Sequence, residues 1–188
     1  MEPDIQALLD ELDRAEREVE QLVGGLTESE LNRQPEGRKG WSVAQIFEHV
    51  STTNDEYITA VVGALAAAQA RGGAERRGPI RLPWFGCWFV GQLEPPPRRR
   101  FRAVAKTQPP SAASKLEVLL HFRAAQANVR GFLRQYAGLD LNRIRFPNPF
   151  LPGIRFTCGT AFHILNAHTR RHLWQARRVL AGFSPAES

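Results

Sequence analysis

His168 and His172 stand four residues apart in the segment AFHILNAHTRRHLWQARRVL. In a helix, rotation of about 100° per residue puts both rings in one narrow sector with Ala161, Leu165, Ala176 and Val179, while Asn166, Arg170, Arg177 and Arg178 point elsewhere. The pair therefore faces the core. Neutral imidazoles can be buried only when their ring nitrogens find partners, which are either hydrogen bonds or a metal ion shared across one helical turn. The HxxxH spacing serves both readings, and a metal centre needs a further donor from another element.

Three other histidines are available. His163 lies roughly opposite the pair on its own helix and is expected at the surface. His121 sits on the flank of another apolar face and is a weaker candidate. His49 lies at the edge of an apolar helical face, one turn before Thr53 and two before Glu56, so it is the preferred third ligand. Three neutral histidines leave a divalent ion its full charge and, in tetrahedral geometry, one open position. Such an ion lowers the pKa of a bound water toward about 7 and holds a thiol as thiolate. A fourth protein ligand, His121 or a carboxylate, would close the centre and make it structural.

Other candidates follow from helical phase. Arg171, flanked by the pair, could reach the cleft edge and hold an acidic group, and Gln175, one turn beyond His172, could orient a ligand. A hydrolase would need a carboxylate base, for which Glu56 has the right phase and Glu48 points away. Trp41, Tyr57 and Trp174 could add aromatic walls. Neither cysteine is needed as a nucleophile, and the apolar setting of Cys158 suits packing.

The elements that must position these residues are helices. Ile5, Leu8, Leu12, Ala15, Val19 and Leu22 predict a first helix over 3–23, ended by Gly24 and Gly25. Thr27 and Glu30 form a capping box for a short helix before Pro35, and EGRKG makes a turn. Ser42 and Gln45 repeat the box and open a long helix to about Ala70. From Arg71 to Ser111 proline, glycine and arginine break the period, although LPWFGCWFVG could form a short strand or an apolar flap. A third long helix is expected from about Ser111 to Tyr136. The stretch GLDLNRIRFPNPFLPGIRFT is expected to be irregular, and the histidine helix follows it. Four long amphipathic helices with a long crossover suit an all-α bundle in a single domain spanning residues 1–188.

Composition narrows the function classes. The 188 residues carry 25 Lys and Arg against 19 Asp and Glu, a net charge of +6, dispersed along the chain. Arg98, Arg99, Arg100 and Arg102 form the one dense cluster, with only Phe101 interleaved, which argues against a nucleic-acid surface. No apolar run approaches the roughly 20 residues of a membrane span. Two cysteines and an acidic amphipathic N-terminus point to the cytoplasm rather than export. The WFGCWFV segment could support a homodimer.

GWSVAQIFEHV, followed more than a hundred residues later by NAHTRRHLWQARRVL, resembles the paired signature of the DinB/YfiT-like family. The likeness covers nearly the whole chain: helix order, the tryptophan and serine opening the second long helix, its histidine two turns on, and a closing HxxxH helix with a downstream glutamine. The resemblance implies an up-down-down-up four-helix bundle with a three-histidine metal site, usually zinc or nickel, on His49, His168 and His172. It also implies kinship with transferases and isomerases that activate a low-molecular-weight thiol for a small-molecule substrate. A non-catalytic metal- or ligand-binding bundle and a metal-dependent hydrolase are the alternatives.

Overall fold

The structure, a computed structural model, describes residues 2–35, 40–97 and 102–182. Most of it is helical. Helix α1 spans Pro3–Gly24, α2 Glu28–Asn32, α3 Val43–Ala70, α4 Trp84–Leu93, α5 Lys115–Gln135 and α6 Cys158–Ala181. Local chemistry sets their starts. Proline occupies the first turn of α1, where its missing N–H is no loss. Capping boxes at Thr27/Glu30, Ser42/Gln45 and Ser114/Glu117 open α2, α3 and α5, and the Thr157 hydroxyl accepts from Thr160 N–H at the start of α6.

Three expectations about the elements are corrected. The third long helix begins at Lys115 rather than Ser111, because the Ser114/Glu117 box supplies the stronger start after Pro109 and Pro110. LPWFGCWFVG is neither strand nor flap: it forms α4, which begins after Pro83 and buries Gly86 against the Thr160 side chain of α6. A continuous apolar run carries no period, so its type is decided by what it packs against. Trp84 and Trp88 remain exposed, and Phe85, partly exposed, stacks on the buried Phe156 ring. The stretch before α6 is not wholly irregular, since β1 (Arg145–Pro147) and β2 (Arg155–Thr157) pair antiparallel with buried Phe146 opposite buried Phe156. The EGRKG turn and most of the Arg98–Arg102 cluster lie outside the described residues.

Helix α3 packs against α5 and α6, and α1 packs against the same two. Ion pairs record the relative directions. Arg170 meets Glu11 and Arg177 meets Glu18, in the same order along α6 and α1. Arg123 meets Glu20 while Arg130 meets Asp13 and Glu16, in opposite order along α5 and α1. Phe47 of α3 meets Phe122 of α5 edge to face in the core, ring centroids 5.9 Å apart. One apolar cluster joins Ile5, Leu9, Val61 and Leu165, and a second joins Val19, Ile46, Phe122 and Leu173. Asn166, expected to face away, is buried and donates to the Leu8 carbonyl. His163, expected at the surface, is half-buried, and burial lowers its pKa. No described helix is long and apolar enough to cross a membrane.

Candidate metal centre

His49 of α3 faces His168 and His172 of α6, and potential ligand atoms of the three lie within 4.8 Å of one another. Ring centroids are 5.3 Å apart for His49 and His168, 5.0 Å for His49 and His172, and 4.4 Å for His168 and His172. The Nε2 atoms of His168 and His172 stand 3.1 Å apart. Two imidazole nitrogens on one tetrahedral zinc at about 2.05 Å are separated by about 3.3 Å, so this spacing suits a shared ion.

The tautomer of His49 is set by the backbone. Its Nδ1 lies 2.8 Å from the Thr107 carbonyl oxygen, which can only accept, so Nδ1 carries the proton and Nε2 keeps its lone pair. This is the outer hydrogen bond that metal-ligating histidines use to orient the ring and raise its basicity. Nδ1 of His168 and of His172 is buried without a hydrogen-bond partner among the described residues.

Electrostatics keep the rings neutral. Burial pushes the pKa of His49 down, against the pull of the Thr107 carbonyl. Burial drives His168 well below its ordinary value, helped by His172, His49 and the Arg171 cation. Burial, then His49 and Arg171, bring His172 to about 3, while the Gln175 side chain acts in the opposite sense. Rings that stay unprotonated at neutral pH offer lone pairs without first releasing a proton. The donor set therefore fits a divalent ion of borderline softness.

The cluster opens into a cleft of about 1610 Å³. Trp41 packs against His49 with ring centroids 4.7 Å apart and planes tilted by 49°, Arg178 lies over the Trp174 ring at 5.0 Å, and both tryptophans and Tyr57 line the cleft. Arg171 and Gln175 line it too, and Arg171 donates to the Gln92 carbonyl. Glu56 is not brought to this cleft. It pairs with Lys106 at 2.6 Å, both partly exposed, because its turn of α3 faces the connection between α4 and α5. His121 is committed elsewhere, with Nδ1 2.9 Å from Glu48 and Nε2 3.2 Å from Asp55. Cys158 is buried at the start of α6, and burial pushes its thiol up to about 12, which leaves it inert as a nucleophile.

Sequence reasoning misses several contributors. The Thr107 carbonyl comes from a 3₁₀ turn over Ala105–Thr107 and carries no side-chain signal. Arg102 and Arg178 line the cleft although neither shares the histidine stripe. Phe89 and Leu93 arrive from α4.

A model of the DinB superfamily matches residues 11–176, and the chain belongs to that family. Searches of curated proteins and of solved structures gave no significant match.

Proposed function

We propose that this member of the DinB superfamily is a single-domain, cytoplasmic, up-down-down-up four-helix bundle that holds zinc or nickel on His49, His168 and His172. It uses the ion to activate a low-molecular-weight thiol for transfer to a small electrophile. The order of ion pairs along α1, α5 and α6 supports the bundle topology. The observation that carries the metal reading is the convergence of three neutral imidazoles, one with its tautomer set by the Thr107 carbonyl.

Bound there, a divalent ion lowers the pKa of a thiol and holds it as the attacking thiolate at neutral pH. The chain's own residues supply the rest. Arg102, Arg171 and Arg178 line the cleft while no Asp or Glu does so among the described residues, which favours a thiol or acceptor bearing a carboxylate. Gln175 stands one turn from His172 to orient the bound molecule, and Trp41 and Trp174 wall the cleft against water. A lining without carboxylates also favours thiol transfer over hydrolysis, which would need a general base where Glu56 does not reach.

Elemental analysis of the wild type beside His49→Ala, His168→Ala and His172→Ala, each checked for folding by circular dichroism, tests the metal. The expected result is about one ion per chain in the wild type, lost from each folded variant. A wild type that takes up neither zinc nor nickel would sink the metalloenzyme reading. Loaded protein is then assayed with 3-mercaptopropionate and a panel of epoxide and activated-alkene acceptors. Metal-dependent thioether formation supports transfer, and a loaded protein that binds the thiol without turnover leaves a binding protein.

A further inference from the structure

The serine and threonine hydroxyls of α3 divide into two kinds. Ser51 donates to the Phe47 carbonyl at 2.9 Å, Thr52 to Glu48 at 2.9 Å and Thr59 to Asp55 at 2.8 Å, each satisfying itself on the carbonyl one turn back. Thr53 does not. Its residue is 4% exposed, and its Oγ1 is buried with no hydrogen-bond partner among the described residues. Thr53 lines the cleft and stands four residues after His49 on the same face of α3.

An unmet buried hydroxyl is unfavourable, and rotation about one side-chain bond is the remedy its three neighbours use. Retaining the unmet group at the wall of the three-histidine site is explained by a partner that arrives with the ligand. Resting on the thiol-activation reading above, we propose that Thr53 is a ligand-positioning residue whose hydroxyl donates to the sulfur of the thiolate held in the cleft. A hydroxyl donor suits this task because it strengthens as the acceptor becomes anionic and leaves the neutral thiol less favoured. Arg171 and Arg178, which line the same cleft, would meet the remote acidic end of that molecule rather than its sulfur.

The test compares wild type, Thr53→Val and Thr53→Ser, all loaded with cobalt(II) as a spectroscopic stand-in and titrated with 3-mercaptopropionate. Valine keeps the shape and removes the hydroxyl, and serine restores it. Valine is expected to load cobalt as fully as wild type and to bind the thiol about tenfold more weakly, with its sulfur-to-cobalt absorption band developing at higher pH. Serine is expected to recover most of both effects. Metal-free Thr53→Val is expected to melt no lower than wild type, because no existing hydrogen bond is lost. A valine variant with unchanged thiol affinity and band onset overturns the proposal, and so does one that melts markedly lower, since that marks a structural hydroxyl. Failure of the wild type to load cobalt, or to give the band with the thiol, overturns the metal–thiol reading itself and is distinct from a defect confined to valine.

Discussion

Acid should unfold the metal-free protein by a route that the buried histidines define. His172 has a folded pKa of about 3 against an ordinary value near 6.5, because the neutral ring is buried beside His49 and the Arg171 cation. Below about pH 6.5 the unfolded chain takes up a proton that the folded chain refuses, so stability falls as pH falls. At about 1.4 kcal/mol per pKa unit, His172 alone removes about 2 kcal/mol between pH 7 and pH 5, and the loss continues until pH nears 3. His168 and His49 act in the same direction. His121 opposes them: Glu48 first and Asp55 second raise its pKa against burial, so its stabilisation is complete below its unfolded pKa and fades as pH rises through the folded value. Urea unfolding of chelator-treated wild type and His172→Gln at pH 7, 6 and 5 isolates the term. Wild type should lose about 2 kcal/mol more than the glutamine variant over that range, or about 4–8 °C in Tm. Parallel curves would refute the claim that His172 is buried as a neutral ring. Added zinc should raise the wild-type curve without changing its slope between pH 7 and 5, since the folded rings bind no proton there with or without the ion while the unfolded chain still takes one up.

Other perturbations separate site from scaffold. His121→Ala should keep full metal content and cost about 1–3 kcal/mol in chemical unfolding, because it strips a partner from the largely buried Glu48 carboxylate, and loss of metal would return His121 to the ligand set. Glu56→Gln should cost less than about 1 kcal/mol and leave thiol transfer unchanged, since Glu56 meets Lys106 near the surface; a large fall in kcat would restore it as a base. Gly86→Val should cost about 1–3 kcal/mol and weaken ligand binding, because a Cβ there lies 3.0 Å from Thr160 Cγ2 and would push α4, with Phe89 and Leu93, off the cleft. Thr107→Pro should lower zinc affinity about 10–100-fold in a chelator competition, because it removes the N–H bond to Val104 that holds the 3₁₀ turn. Thr107→Val keeps the carbonyl in place and should bind zinc like wild type.

The long helices were legible because their apolar positions repeat at three and four residues and their starts carry paired capping residues. Ser42 with Gln45 and Thr27 with Glu30 place helix starts to the residue. The same rule, applied at Ser114 and Glu117, corrects the start of α5. Alternation fails for α4, whose ten residues from Trp84 to Leu93 include no charged side chain to mark an outer face. The β1–β2 pairing was hidden for a different reason, since three-residue strands, one of them ending in Pro147, are defined by Phe146 meeting Phe156 across the connection rather than by local preference.

The site divides along the same line. Helical phase brings out His168 and His172 because both belong to one element, and it places His49 at the edge of another. It misplaces Glu56 because phase gives direction from the helix axis but not what lies there. Lys106, in the connection between α4 and α5, meets that carboxylate before the cleft does. That connection reads in sequence as a spacer, yet Thr107 from it sets the tautomer of His49 and Arg102 from it lines the cleft. A backbone carbonyl is present whatever residue bears it, so the part of the site that decides which nitrogen of His49 is free to bind leaves no trace in residue type. What the sequence does record is the donor set itself, since His49, His168 and His172 are named by residue type and phase before the fold brings them together.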